Sequence, residues 1–189
     1  ILMFDNSRDA FAIAQCRLGY GLNTTDKAQL LECAKLLEQQ RPVVQQYIMD
    51  QVFDLMENEE AWIAPYYAGD YLTMADENEN LAFYLPEHQT FNRFVDAMCI
   101  PKCCENQKEA ELFINFLCDP EIASQNMEWI GYSSPIDPAI SGADAEDVYP
   151  STALMKQGSG YLPLERKTTR LMEELFMQVR NGIKIHLPN

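Results

Sequence analysis

Basic residues, histidines and long apolar runs are all scarce in this sequence. Its 189 residues include 14 Lys and Arg against 29 Asp and Glu, which gives a formal net charge of −15. Nucleic acids and anionic membrane surfaces are therefore poor partners by long-range electrostatics. No apolar run approaches the roughly 20 residues of a membrane span, and no basic segment followed by an apolar stretch marks a signal peptide. The composition predicts an acidic globule that favours cations, or one that is acidic only for solubility.

Catalytic and metal-binding motifs are missing as well. The sequence contains no G-x-S-x-G, H-E-x-x-H, phosphate-binding loop or complete G-x-G-x-x-G pattern. The histidines His88 and His186 are isolated, and no two of the six cysteines have C-x-x-C spacing, so no zinc site is expected. We therefore expect no enzyme activity, no cofactor and no metal, and the adjacent pair Cys103-Cys104 has no explanation at this level.

Apolar periodicity predicts strands that alternate with helices. The predicted strands lie at about 1–4, 43–47, 61–64, 81–85 and 94–101. The predicted helices follow Asn6, Asp26 and Asn106, occupy 52–56 and 171–179, and run from Asp119-Pro120 to Trp129. This alternation favours an α/β sandwich with mainly parallel pairing. The apolar opening run also leads us to expect that the natural chain starts further upstream.

Carboxylates stand beside aromatic residues at the ends of several predicted strands. In open α/β sheets, ligands bind beyond the carboxyl ends of the strands, so such residues can converge on one cleft. Carboxylates pair with protonated amines, and aromatic faces attract them through the cation–π effect. Taken singly, each residue has the simpler interpretation of a helix cap or a core residue. The residues concerned are Asp5, Asp9, Tyr66, Tyr67, Asp70, Phe94 and Asp96.

The segments that carry these residues resemble the polyamine-binding proteins of ABC importers, in one colinear order over nearly the whole chain. Each matching motif is short, but their order and spacing together are specific. They are LMFDNSRD at 2–9, LGY at 18–20, NTTD at 23–26, YAGD at 67–70, FVD at 94–96, IP at 100–101, INFL at 114–117, DP at 119–120 and IGYSSP at 130–135.

The resemblance implies an α/β fold of the periplasmic-binding-protein-like (type II) kind, a three-layer α/β/α sandwich with an incomplete second lobe. Residues 1–94 plus 141–189 would form the C-terminal ligand-binding lobe. Residues 95–140 would belong to the N-terminal lobe, whose other part is missing. The helix at 112–117 would then expose an apolar face, which predicts self-association or a domain swap.

The same resemblance implies a function in solute uptake. The protein would be the solute-binding component of an ABC importer, capturing putrescine or spermidine in an interlobe cleft and delivering it to the permease subunits. Its location would be extracytoplasmic, with the signal region outside this chain. The alternatives are a different small solute, such as another amine, an amino-acid-like compound or a metal chelate, and, less favoured, an enzyme or a ligand-sensing effector domain.

Six ligand-binding residues follow from the family pattern, and Asp96 is the strongest candidate. Four of them depart from the pattern: Asn6 replaces an acid, Asp9 is shorter than a glutamate, and Tyr67 and Phe94 replace tryptophans. These changes predict looser polyamine selectivity. The family has a further ligand-contacting polar residue near Tyr161. The six candidates are Asn6, Asp9, Tyr67, Phe94, Asp96 and Tyr132.

Overall fold

The computed structural model describes residues 1–86, 90–136 and 155–187. The chain divides into two compact units. Unit 1 comprises Ile1–Tyr66, Tyr84–Phe94 and Thr152–Asn189, and unit 2 comprises Tyr67–Phe83 and Val95–Ser151. The segment Tyr67–Phe83 thus groups with unit 2, although we predicted it in the lobe of residues 1–94. The lobe assignment refers to a longer protein and stays a prediction.

The described residues form seven α-helices, and all the helices that the sequence predicted are among them. Helix α4 and the 3₁₀ helix Arg41–Val43 were not predicted. The helices are α1 (Ser7–Leu18), α2 (Lys27–Gln40), α3 (Val52–Glu57), α4 (Ala68–Glu77), α5 (Gln107–Leu117), α6 (Pro120–Ile130) and α7 (Arg166–Asn181). Each is too short or too polar to cross a bilayer, within the ranges that the structure describes.

A small parallel sheet lies in unit 1. Strand β1 (Leu2–Phe4) pairs with β2 (Gln46–Ile48), with Leu2 opposite Gln46 and Phe4 opposite Ile48. The predicted parallel pairing is confirmed for these two strands. The second strand starts later than predicted because the 3₁₀ helix, with Pro42 in its first turn, occupies the residues before it.

Three predicted strands are wrong as regular strands. Residues 61–64, 81–85 and 94–101 have no strand assignment. Next to β1, Ile63 accepts a single backbone hydrogen bond from the Leu2 amide at 2.8 Å. Residues 95–99 are exposed, and the described residues offer them no neighbouring strand. A strand needs a ladder of hydrogen bonds to a neighbour, so apolar composition alone does not make these segments strands.

The core of unit 1 lies between helices α1, α2 and α7 and strand β1. Phe11, Leu30 and Leu175, one from each helix, are completely buried, as is nearly all of β1. Burying such a side chain contributes about 1.5–3 kcal/mol each to folding, relative to exposure. The core therefore fixes the first turn of α1, which carries two of the candidate residues.

Unit 2 is built from α4, α5 and α6, with α6 packed against both of the others. Helix α6 begins where predicted: the Asp119 carboxylate accepts a hydrogen bond from the Glu121 amide at 3.0 Å, and Pro120 is the first helical residue. Helix α5 has no buried residue. Its Leu112, Phe113 and Phe116 side chains are 68%, 59% and 52% exposed, so its apolar face lacks a covering element among the described residues.

Candidate functional site

The carboxylate of Asp9 is held by two side chains at the start of α1. The Asn6 amide nitrogen donates to Asp9 Oδ2 at 2.7 Å, and the Tyr161 hydroxyl donates to Asp9 Oδ1 at 2.8 Å. Asn6 is also the N-cap, because its Oδ1 accepts from the Asp9 amide at 2.8 Å. Both donors are neutral, and together they fix the orientation of the carboxylate. The candidates Asn6 and Asp9 are therefore brought together in unit 1.

Arg8 fastens the segment that carries Tyr161 to helix α1. Its guanidinium lies 4.6 Å from the centre of the Tyr161 ring and donates to the Asn23 side-chain oxygen at 2.6 Å. The Asn23 side chain in turn donates to the Gly160 carbonyl at 2.9 Å. Partial burial lowers the pKa of the Arg8 guanidinium, although the nearby Tyr161 and Asp9 act in the opposite direction. Arg8 is thus a positioning residue for Tyr161.

The segment before Phe94 pairs with the segment before Tyr161. The Arg93 amide donates to the Ser159 carbonyl at 3.0 Å, and the Ser159 amide donates to the Phe91 carbonyl at 2.9 Å. The same short stretch therefore pairs with the residues leading to Phe94 and, through Tyr161, contacts Asp9. Phe94 itself is exposed. In unit 1, residues 159–161 therefore contact Asp9, which is bonded to Asn6, and also pair with the residues just before Phe94.

Asp5, another carboxylate at a predicted strand end, has a structural role instead. It forms an ion pair with Arg180 of helix α7. The Arg180 guanidinium also lies 5.7 Å from the Tyr47 ring centre and 5.9 Å from that of Phe176. Because Asp5 already pairs with this cation, a ligand amine would have to compete with Arg180 for it.

In unit 2, Tyr67 and Tyr132 lie at one end of helix α4. Tyr67 directly precedes the helix in an extended conformation, and its carbonyl accepts from the Tyr71 amide at 3.1 Å. The Tyr132 ring covers Gly69 so closely that a Cβ there would lie 2.4 Å from its Cδ2 atom. Gly131 has φ +72°, and a Cβ there would lie 2.4 Å from the Gly69 carbonyl oxygen. Two glycines thus let Tyr132 approach the α4 end that carries Tyr67.

Asp96 is exposed in the irregular segment that follows Phe94. Its carboxylate has no hydrogen bond or ion pair with any other residue in the described part of the chain. The structure therefore does not join Asp96 to Tyr67 and Tyr132 by a direct contact, although all three belong to unit 2. An exposed carboxylate that has no partner among the residues placed in the structure can accept a cation without breaking a bond to any of them.

Sequence reasoning assigned no role to Arg8 or Tyr161. The hydroxyl of Tyr161 and the carboxylate that it contacts are 152 positions apart in the chain. A local pattern cannot reveal such a contact. The only signal was the family's polar position near Tyr161.

Comparison with known proteins identifies the family. The model of the bacterial extracellular solute-binding protein family matches residues 2–157. This chain belongs to that family. Among curated members, the putrescine-binding periplasmic protein SpuD of Pseudomonas aeruginosa is 26% identical over 193 residues, covering 96% of this chain and 52% of that protein. The spermidine/putrescine-binding periplasmic protein of Escherichia coli is 24% identical over 189 residues, which covers 96% of this chain and 53% of that protein.

Solved structures of solute-binding proteins confirm the predicted fold class. The spermidine/putrescine-binding protein PotD of Streptococcus pneumoniae matches with a TM-score of 0.78 and 31% identity, covering 95% of this chain and 57% of that one. A Listeria monocytogenes protein assigned to a spermidine/putrescine ABC transporter matches with a TM-score of 0.83 and 30% identity. This match covers 95% of this chain and 56% of that one. The predicted resemblance to polyamine-binding proteins is confirmed. The chain spans about half the length of the curated relatives it matches.

Proposed function

We propose that the full-length protein is the solute-binding component of an ABC importer and that it captures putrescine or spermidine. The observation that carries this proposal is the Asp9 carboxylate, fixed by Asn6 and Tyr161 in the unit that also holds Phe94. A fixed carboxylate near an aromatic face suits a protonated amine attached to methylene groups. The relatives named for putrescine and spermidine binding support the same ligand class.

Each candidate residue has a definite part in the proposal. Asp9 and Asp96 pair with ammonium groups, and Asn6 orients Asp9. The aromatic faces of Phe94, Tyr67 and Tyr132 contact the methylene groups between the amines. The proposed lobes are 1–94 plus 141–189 for the C-terminal lobe and 95–140 for part of the N-terminal lobe. In the full-length protein, these lobes close over the ligand by hinge motion.

The proposal also covers location and partners. The protein acts outside the cytoplasmic membrane, in keeping with a family described as extracellular and relatives described as periplasmic. It passes the ligand unchanged to the permease subunits of the importer. The net charge of −15 supports a cationic ligand and opposes nucleic acid as a partner.

The Asn6 side chain favours a second candidate, in which the same fold binds another small solute. With an amide where the family has an acid, this end of the site carries one negative charge fewer, so a solute with fewer ammonium groups fits it better. An amine of lower charge and an amino-acid-like compound are the solutes to compare. Competition against bound putrescine distinguishes this candidate from the first.

Calorimetric titration of putrescine and spermidine into the full-length protein tests the proposal. Saturable binding is expected, and Asp96→Asn should weaken it by about tenfold or more, because a hydrogen bond to a charged group is lost. Asp76→Asn is the matched control, since it removes one exposed carboxylate from the same unit but from outside the candidate site. No binding of either amine by well-folded protein, or equal losses in both variants, would contradict the proposal.

A further inference from the structure

Two adjacent thiols, Cys103 and Cys104, lie on a turn just before helix α5. The turn is closed by a hydrogen bond from the Cys104 amide to the Pro101 carbonyl at 2.9 Å. Both cysteines are free thiols, with Cys103 exposed and Cys104 half-buried. Neither belongs to the proposed polyamine site, so the pair needs a separate explanation.

A disulfide within this pair is disfavoured by chain geometry. Adjacent Cα atoms are about 3.8 Å apart, whereas disulfides usually join Cα atoms about 4.4–6.8 Å apart. Such a bridge is strained and therefore easily reduced. A single atom bound to both sulfurs makes a longer bridge than a disulfide bond. Two sulfur–atom bonds of about 2.3 Å let the sulfurs lie up to about 4.6 Å apart, compared with about 2.05 Å in a disulfide. The pair is better suited to bind one atom through both thiols than to form a disulfide.

The number of ligands narrows the choice of atom. The ranges that the structure describes contain no group of three or more His, Cys, Asp or Glu side chains that could hold a metal ion. Structural zinc takes four ligands, two more than this turn supplies. Thiolates select soft centres, and some of these are satisfied by two sulfur ligands. We propose that Cys103 and Cys104 form a two-thiol chelating site for a soft, thiophilic centre of low coordination number, such as a trivalent arsenical.

The binding reaction with a monosubstituted arsenical oxide needs no oxidant. Two arsenic–sulfur bonds form and the arsenic–oxygen bond breaks. The two thiol protons leave with that oxygen as one water molecule. Arsenic stays trivalent, and both sulfurs keep their oxidation state. A dithiol in solution can take the arsenic back, whereas a monothiol cannot form the same ring.

Phenylarsine oxide added to the full-length protein under reducing conditions tests the site. Intact-mass spectrometry should show an adduct that survives excess monothiol and is removed by 2,3-dimercaptopropanol. Cys103→Ser and Cys104→Ser should each abolish this adduct. Cys99→Ser and Cys118→Ser, which remove other exposed thiols of the same unit, should retain it.

Two results would overturn the proposal. One is a monothiol-resistant adduct that persists in both Cys103→Ser and Cys104→Ser, because the arsenic would then sit on other thiols. The other is wild-type protein that forms no monothiol-resistant adduct. Circular dichroism of each variant checks that folding is intact, and peptide mapping of the adduct locates the arsenic independently of any variant.

Discussion

Single residues in this chain owe their positions to contacts of very different range. The role of Asn6 as an N-cap could be predicted, because the residue and the amide that it binds are three positions apart. The bond between Tyr161 and Asp9 could not be predicted, because it joins residues 152 positions apart in the chain. The contact between Asn6 and Asp9 could thus be predicted from the sequence, whereas the contact between Tyr161 and Asp9 could be found only from the structure.

Substitution of Gly69 should disturb the end of α4 that carries Tyr67. The added methyl group of Gly69→Ala would lie 2.4 Å from the Tyr132 ring, so the ring must move. We expect a loss of about 1–3 kcal/mol in the free energy of unfolding, as in other overpacked sites. Urea denaturation of wild type and variant measures this loss in the free energy of unfolding. Gly21→Ala is the control, because a Cβ there meets no atom within 4 Å. Equal effects of the two changes would show that the Tyr132 contact is looser than described.

Burial of Cys33 should make stability depend on alkaline pH. Burial raises the pKa of this thiol from 9.0 to about 12. Above about pH 9 the unfolded chain loses the proton while the folded chain keeps it, so stability falls as pH rises. The expected limiting slope is about 1.4 kcal/mol per pH unit.

Urea midpoints from about pH 7 to about pH 10, in wild type and in Cys33→Ala, isolate this contribution from other titrating groups. The wild-type curve should fall more steeply. Parallel curves would mean that the thiol ionises equally in both states.

Among the elements, helices were predicted better than strands, and the reason is physical. A helix satisfies its own hydrogen bonds, so a cap such as Asp26 or Asp119 and an apolar stripe suffice to indicate it. A strand depends on its neighbour. The segment 61–64 has strand-like composition, yet only Ile63 accepts a backbone hydrogen bond from β1. The start of α5 shows a subtler difference, because Asn106 stands at the N-cap without a side-chain capping bond.

The caps of α2 and α5 should therefore respond differently to substitution. Asp26 Oδ1 accepts from the Ala28 amide at 2.7 Å and the Gln29 amide at 3.2 Å. Asp26→Ala should cost about 1 kcal/mol of stability, because two helix amides lose their acceptor. Asn106→Ala should change stability by less than about 0.5 kcal/mol. Thermal and urea unfolding of both variants test this, and an equal loss would reveal a capping bond at Asn106 in solution.

At the scale of the whole molecule, the sequence predicted the fold class, and the structure adds where the chain divides. The assignment of Tyr67–Phe83 to unit 2 could not be read from sequence, because it depends on the packing of Tyr132 and Gly131 against the first turn of α4. Motif order, in contrast, is a property of the whole sequence that needs no knowledge of the packing. The resemblance of these ordered motifs was sufficient to indicate the family.

The exposed apolar face of α5 leads to a prediction about association of the 189-residue chain. Leu112, Phe113 and Phe116 form a contiguous exposed stripe on one helix, and exposed apolar patches of this kind promote contacts between molecules. Light scattering should therefore show a mass that rises with protein concentration, through simple association or a domain swap.

Phe113→Glu should suppress this rise, because a charge in the stripe must lose its hydration in any contact. Trp62→Glu is the matched control: Trp62 is more exposed, at 90%, but belongs to the other unit. If Trp62→Glu alone abolished association, the contact would involve unit 1. If the wild-type chain stayed monomeric at high concentration, the α5 stripe would not be an association surface.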